Sequence, residues 1–178
     1  MNIVGIPSQF AIKYEFYDDS HETEIIMIVN DKNILEYKKN GHSYTTRWNL
    51  NELALWLRDF VDNLKEDPYP VETEGEYAAD KDISARVFDS DDEEEFDAYY
   101  DKLEDWNERH RWHSASSGAI LADLYFQLIG DNVEISWNNE DAEEGVEFTF
   151  ITGGCIIPVS EFKTVINSFL KEYALHWF

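Results

Sequence analysis

Cysteine is nearly absent from this chain of 178 residues, and with Cys155 alone no internal disulfide can form. Its Gly-Gly-Cys-Ile-Ile setting marks that thiol as a small buried hydrophobe rather than a nucleophile. Long apolar runs are missing as well. The longest, Ile25 to Val29, falls far short of the roughly 20 residues a membrane helix requires. Met1 to Phe10 lacks the basic region of a secretory signal and is interrupted by Pro7, so the expected location is cytoplasmic. Bases are scarce, with 14 Lys and Arg against 38 Asp and Glu and a net charge of −24. A chain so acidic repels phosphate backbones and anionic lipid, which excludes direct nucleic-acid binding and a membrane partner.

Several catalytic signatures are also missing. There is no phosphate-cradling loop, no dinucleotide glycine fingerprint and no His-Glu-x-x-His pair. Asp89-Ser-Asp-Asp-Glu-Glu resembles a row of oxygen ligands but lacks the glycine and distal glutamate of an EF-hand, so no specific calcium site and no cofactor is expected. His110 and His113 stand three apart, near Ser114, Ser116 and Ser117. A zinc site needs further ligands that the other histidines do not supply, and no strand-turn-helix elbow presents a serine. A hydrolase built on the His110/His113 region is therefore the weakest of three functional readings, and no catalytic or metal residue is nominated.

What the chain does contain is a globular core. Apolar residues make up 43% and aromatics 15%, a composition that disordered acidic chains lack. Charge divides the sequence in three: net −3 over residues 1–65, −13 over 66–118 and −8 over 119–178. Within the first part Phe10, Ile12, Tyr14 and Phe16 alternate with polar neighbours as in a half-buried strand, and Ile25 to Val29 reads as another. Asn30 to Asn33 is a turn before Ile34 to Tyr37, Lys39-Asn-Gly41 is a hairpin turn, and Tyr44 to Trp48 leads to Asn51 as helix N-cap. Leu53, Trp56, Leu57, Phe60, Val61 and Leu64 then form one helical face, closed by Lys65.

The third part repeats this order. Strands are expected at Leu124 to Ile129, Val133 to Trp137 and Val146 to Phe150, with Gly153-Gly154 turning the chain into Cys155 to Ile157. Ser160 caps a helix whose face is Phe162, Val165, Ile166, Phe169, Leu170 and Tyr173. Its spacing matches the first helix, with Glu52 over Glu161 and Phe60 over Phe169, which suggests an internal repeat. The expected fold is α+β: antiparallel sheets from two similar strands-then-helix units, 1–65 and 119–178, in one compact domain. An acidic linker and a third helix from Glu93 to His113 occupy 66–118.

The acidic segment is the candidate binding surface. Asp89, Asp91, Asp92, Glu93, Glu94 and Glu95, with Asp101 and Asp105 on the helix, would steer a basic protein partner. Tyr99 and Trp112 would serve as aromatic anchors among the acids. In size, acidity and composition the chain resembles bacterial immunity proteins, antitoxins and DNA-mimic inhibitors, as well as acidic secretion chaperones. That resemblance implies a non-enzymatic inhibitor of a nuclease or another nucleic-acid-directed enzyme. The alternative is an acidic chaperone or assembly subunit, and a homodimer stays open.

Overall fold

The computed structural model describes residues 1–112 and 119–178. Strands β1 (Asn2–Ile6), β2 (Phe10–Tyr17) and β3 (Glu22–Val29) make an antiparallel meander. Asn30 and Asp31, both at positive φ (50° and 62°), form a two-residue turn into the short β4 (Lys32–Asn33). That conformation matches the twist of the flanking strands, and Asn and Asp tolerate it better than other side chains. Ile34 and Leu35, expected in a strand, instead form a buried turn. The Asn40-Gly41 turn then joins β5 (Tyr37–Lys39) to β6 (His42–Tyr44), and β7 (Thr46–Trp48) returns to pair with β3.

Helix α1 (Asn51–Asp62) follows, but Asn51 is not its cap. The cap is Leu50, the Asn49 side chain accepts from the Asn51 N–H, and the Asn51 side-chain oxygen accepts from the Tyr173 hydroxyl. Lys65 lies beyond the end of the helix. Two further helices occupy the acidic segment: α2 (Ala78–Ala85), which the charge pattern does not reveal, and α3 (Glu93–His110).

The last part holds β8 (Leu124–Ile129), β9 (Asn132–Asn138), β10 (Val146–Phe148), β11 (Thr152–Pro158) and α4 (Val159–Trp177). The architecture is α+β with antiparallel sheets. Gly153 and Gly154 do not turn the chain; both lie inside β11, opposite Trp137 and Ser136 of β9. Their lack of a side chain serves close approach instead. A Cβ on Gly153 would meet the Trp137 ring at 2.5 Å, and one on Gly154 would meet the Tyr77 ring at 2.7 Å on the opposite face. Ser160 lies one residue inside α4, whose cap is Pro158.

The two flanking parts are interlocked. β10 pairs with β5, Val146 opposite Lys39 and Phe148 opposite Tyr37. α4 packs against β1 and β2 as well as against β9, β11 and α1. The reason lies in Phe162, fully buried, whose ring stacks on Phe10 of β2 at 5.6 Å and meets Phe126 of β8 at 5.5 Å and Phe60 of α1 at 6.0 Å. One side chain thus joins the sheet of β1–β3 and the sheet of β8, β9 and β11 to α1 and α4. Among the described residues no helix is long and apolar enough to cross a membrane.

Candidate partner interface

Helices α2 and α3 cover the face of β8 and β9 turned away from α4, and buried hydrogen bonds hold them there. At the N-terminus of α2 the Ala78 N–H donates to Glu134 Oε1 at 2.7 Å, and the Ala79 N–H donates to Ser136 Oγ at 3.2 Å. A strand carboxylate therefore satisfies helix donors that would otherwise be left without partners. Asp82, with a side chain 1% exposed, is the joint of this layer. Its carboxylate accepts from Tyr69 (3.1 Å), Tyr125 (2.8 Å), Asn107 Nδ2 (2.9 Å) and the Arg86 guanidinium (3.1 Å to Nε). Burial alone would push the Asp82 carboxyl up, but the Asn107 hydrogen bond, the Arg86 charge and the Tyr125 hydroxyl outweigh it and hold it below the ordinary value. The same burial beside Asp82 pushes the Tyr69 and Tyr125 hydroxyls far up, so both act as donors.

Helix α3 buries Leu103, Trp106 and His110 and turns its other side outward. Tyr99 donates to the Ala85 carbonyl at 3.0 Å and stacks on Phe88 at 3.9 Å, while Tyr100 donates to the carbonyls of Arg86 and Phe88. Tyrosine hydroxyls thus occupy carbonyls at the end of α2, and Tyr99, expected as a binding anchor, is half committed to this structural contact. Trp112 requires correction. It is fully buried in the main core, 6.5 Å from the Phe126 ring, and presents no surface to a partner.

The acids divide similarly. Asp92 caps α3, accepting from the N–H groups of Glu94 and Glu95, and Glu95 accepts from Ser90 Oγ at 2.7 Å. Asp89, Asp91, Glu93, Glu94, Asp101 and Asp105 are exposed, and none forms an ion pair among the described residues. Asp97, Glu104 and Glu108, not among the acids expected at the interface, are exposed too. With Glu94, Asp101 and Asp105 they fall at helical spacings that place six carboxylates along one face of α3. That stripe was legible in the heptad-like spacing once the helix was placed.

At the far end of the stripe a cleft of about 450 Å³ opens between α1 and α3. Trp56, Phe60 and Leu64 line it from the α1 side, and Glu108, Arg109 and His110 from α3. His110, the residue of the hydrolase reading, is 4% exposed, with Nδ1 2.8 Å from the Phe126 carbonyl and Nε2 2.9 Å from Asp67 Oδ2. Both ring nitrogens are engaged, joining α3 to β8 and to Asp67. Burial pushes the Asp67 carboxyl up, but hydrogen bonds from His110 and Arg109 prevail and hold it below its usual value. His113, Ser114, Ser116 and Ser117 lie outside the described residues. Cys155 is half-buried, and burial, followed by the charges of Glu134 and Glu161, pushes its thiol up to about 11, as befits an inert group. Among the described residues no three of His, Cys, Asp and Glu converge as metal ligands.

No family's sequence profile matches the chain, and no curated protein matches its sequence. In three dimensions the chain is similar to the crystal structure of CdiI from Burkholderia dolosa AUO158. The TM-score is 0.50 over 96% of this chain and 99% of that one, at 12% sequence identity, a likeness of fold along nearly the whole length of both.

Proposed function

We propose that the chain is a non-enzymatic inhibitor that binds and neutralises a basic, nucleic-acid-directed protein. The observation that carries this reading is the outer face of α3. Its six carboxylates, from Glu94 to Glu108, span about 21 Å, roughly one negative charge per 4 Å, close to the axial charge spacing of about 3.4 Å in a single strand of duplex DNA. Lys102 and Arg109 are the only Lys or Arg residues on that helix. A partner whose work demands a phosphate-binding surface would find that surface matched here, and long-range attraction would speed the encounter.

The fold likeness supports the same direction, because CdiI is an immunity protein of contact-dependent inhibition toxins. The geometry of His110 argues against the enzymatic alternative, since the imidazole is consumed by structural contacts.

The test uses the protein encoded by the gene adjacent to this one, because inhibitors of this class are commonly encoded beside their targets. Reversing Asp97, Asp101 and Glu104 together to Lys is expected to slow association at least about tenfold and to flatten its salt dependence. All three side chains are exposed, so the fold should persist. An unchanged association rate would remove α3 from the interface.

A further inference from the structure

The cleft between α1 and α3 has no part in the charge argument, yet its composition is that of a side-chain socket. Trp56 is fixed in place by its own indole N–H, which donates to the Glu108 carbonyl at 3.0 Å, and its ring stacks on Phe60 at 5.4 Å with 6° between planes. These two rings and Leu64 provide an apolar floor that is rigid before any ligand arrives. The opposite wall is equally fixed, because His110 is held at both nitrogens and Arg109 donates to Asp67 Oδ2 at 2.8 Å. A volume near 450 Å³ lies within the usual range for small-ligand pockets of roughly 300–1,000 Å³.

The rims supply the second half of the specification. Asp59 on the α1 side and Glu108 on the α3 side line the opening; Asp59 is paired with Arg58 at 3.2 Å, whereas Glu108, with Asp105 one turn before it, is the exposed end of the acidic stripe. Of the two cations at the opening, Arg109 is tied to Asp67, leaving Lys65. An apolar slot at the end of an acidic stripe complements an apolar side chain carried by a basic segment that lies along α3. It does not suit an anionic ligand, nor an apolar one carried by an acidic chain.

We infer that this slot receives a large apolar side chain, aromatic or aliphatic, from a basic segment of the partner protein, and so acts as the anchor point of the interface that α3 steers. The inference rests on the proposed inhibitory reading and gives the partner a local chemistry: a hydrophobic residue within a segment rich in Lys or Arg. Interfaces of this type draw most of their affinity from one such buried anchor, surrounded by contacts that exclude water.

Three peptides provide the test on the intact chain: acetyl-Lys-Lys-Phe-Lys-Lys-amide, the same peptide with Ala in place of Phe, and the Phe peptide with Glu in place of every Lys. Binding is followed at low salt by the indole ¹⁵N–¹H signal of Trp56, assigned with a Trp56→Phe variant, and by calorimetry. The basic Phe peptide should move the Trp56 signal and bind about tenfold more tightly than the Ala peptide, the gain expected from burying much of one aromatic side chain. Leu64→Gln should shrink that ratio to about threefold or less, and should this variant not fold, the peptide comparison on the unaltered chain decides alone. Equal binding of the two basic peptides with Trp56 unmoved would overturn the socket and leave the acidic surface standing. Failure of both basic peptides to bind would overturn the two together. Equally tight binding of the Glu-flanked peptide would overturn the basic occupant.

Discussion

On one face of β8 and β9, Leu124, Phe126, Val133, Ile135 and Trp137 belong to the apolar cluster shared with α1 and α4. On the other, Tyr125, Gln127, Glu134 and Ser136 are buried as well, but α2 meets Tyr125, Glu134 and Ser136 through hydrogen bonds, Gln127 donates to the Asp67 carbonyl, and Trp106 of α3 stacks on the Tyr125 ring. The two faces are covered to a similar degree by different physics. The apolar face gains in proportion to area removed from water and is indifferent to direction. The polar face gains little from each bond, because water offered the same partners, yet a single missing partner leaves several groups buried and unsatisfied. The first glues the sheets together, and the second fixes where α2 lies and hence where α3 presents its acids.

The largest effect that separates the two faces should come from Phe162→Ala. Emptying the site where Phe10, Phe60 and Phe126 converge is expected to cost about 4 kcal/mol in denaturant unfolding and to lower hydrogen-exchange protection in β2–β3 and β8–β9 alike. A loss below about 1 kcal/mol would show that the apolar face does not depend on this ring. Next comes Asp82→Ala, expected to cost about 3 kcal/mol, because Tyr69, Tyr125, Asn107 and Arg86 all lose their common acceptor. Here the loss of exchange protection should concentrate in 78–110 and spare β2 and β3. Uniform loss would mean that the polar layer is not a separate unit.

The smallest effect is a pH dependence. Asp67 and Asp82 both titrate below their unfolded values when folded, so their contribution is complete above the unfolded pKa of about 3.9 and is lost as pH falls through the lower folded values. The stability gap between the native chain and Asp82→Asn should therefore be constant from about pH 7 to 5 and narrow below about pH 4. A gap that stays constant through that range would show that the Asp82 charge contributes nothing beyond its hydrogen bonds.

Much of the apolar face could be read from the sequence, because the spacing from Leu53 to Val61 and from Phe162 to Tyr173 names the buried side of α1 and α4 directly. The polar face could not. Glu134 and Ser136 read as the solvent side of an alternating strand, and Ala78–Ala85 carries too few large apolar residues to announce a helix. Asp82 and Arg86 do stand four apart, but among 38 acids that pairing does not stand out. Trp112 follows Arg-His-Arg at the end of the acidic helix, a polar setting that does not mark it as core. Asn51 and Ser160 carry capping chemistry one and two positions past the caps, Leu50 and Pro158. The pairing of β10 with β5 joins positions more than 100 residues apart, a link that local pattern does not encode.

The packing of α4 on β1 and β2 also governs the order in which the chain becomes complete. Phe10 and Tyr14 lie beneath Phe162 and Phe169, so the apolar side of the first hairpin has no cover until residues 159–177 have been synthesised. On the ribosome the N-terminal strands therefore wait as an open, aggregation-prone surface, and the last helix closes it in one late step. A protein assembled in this way reaches its native packing only after α4 has emerged, and a nascent fragment ending before α4 would expose that apolar side to chaperones.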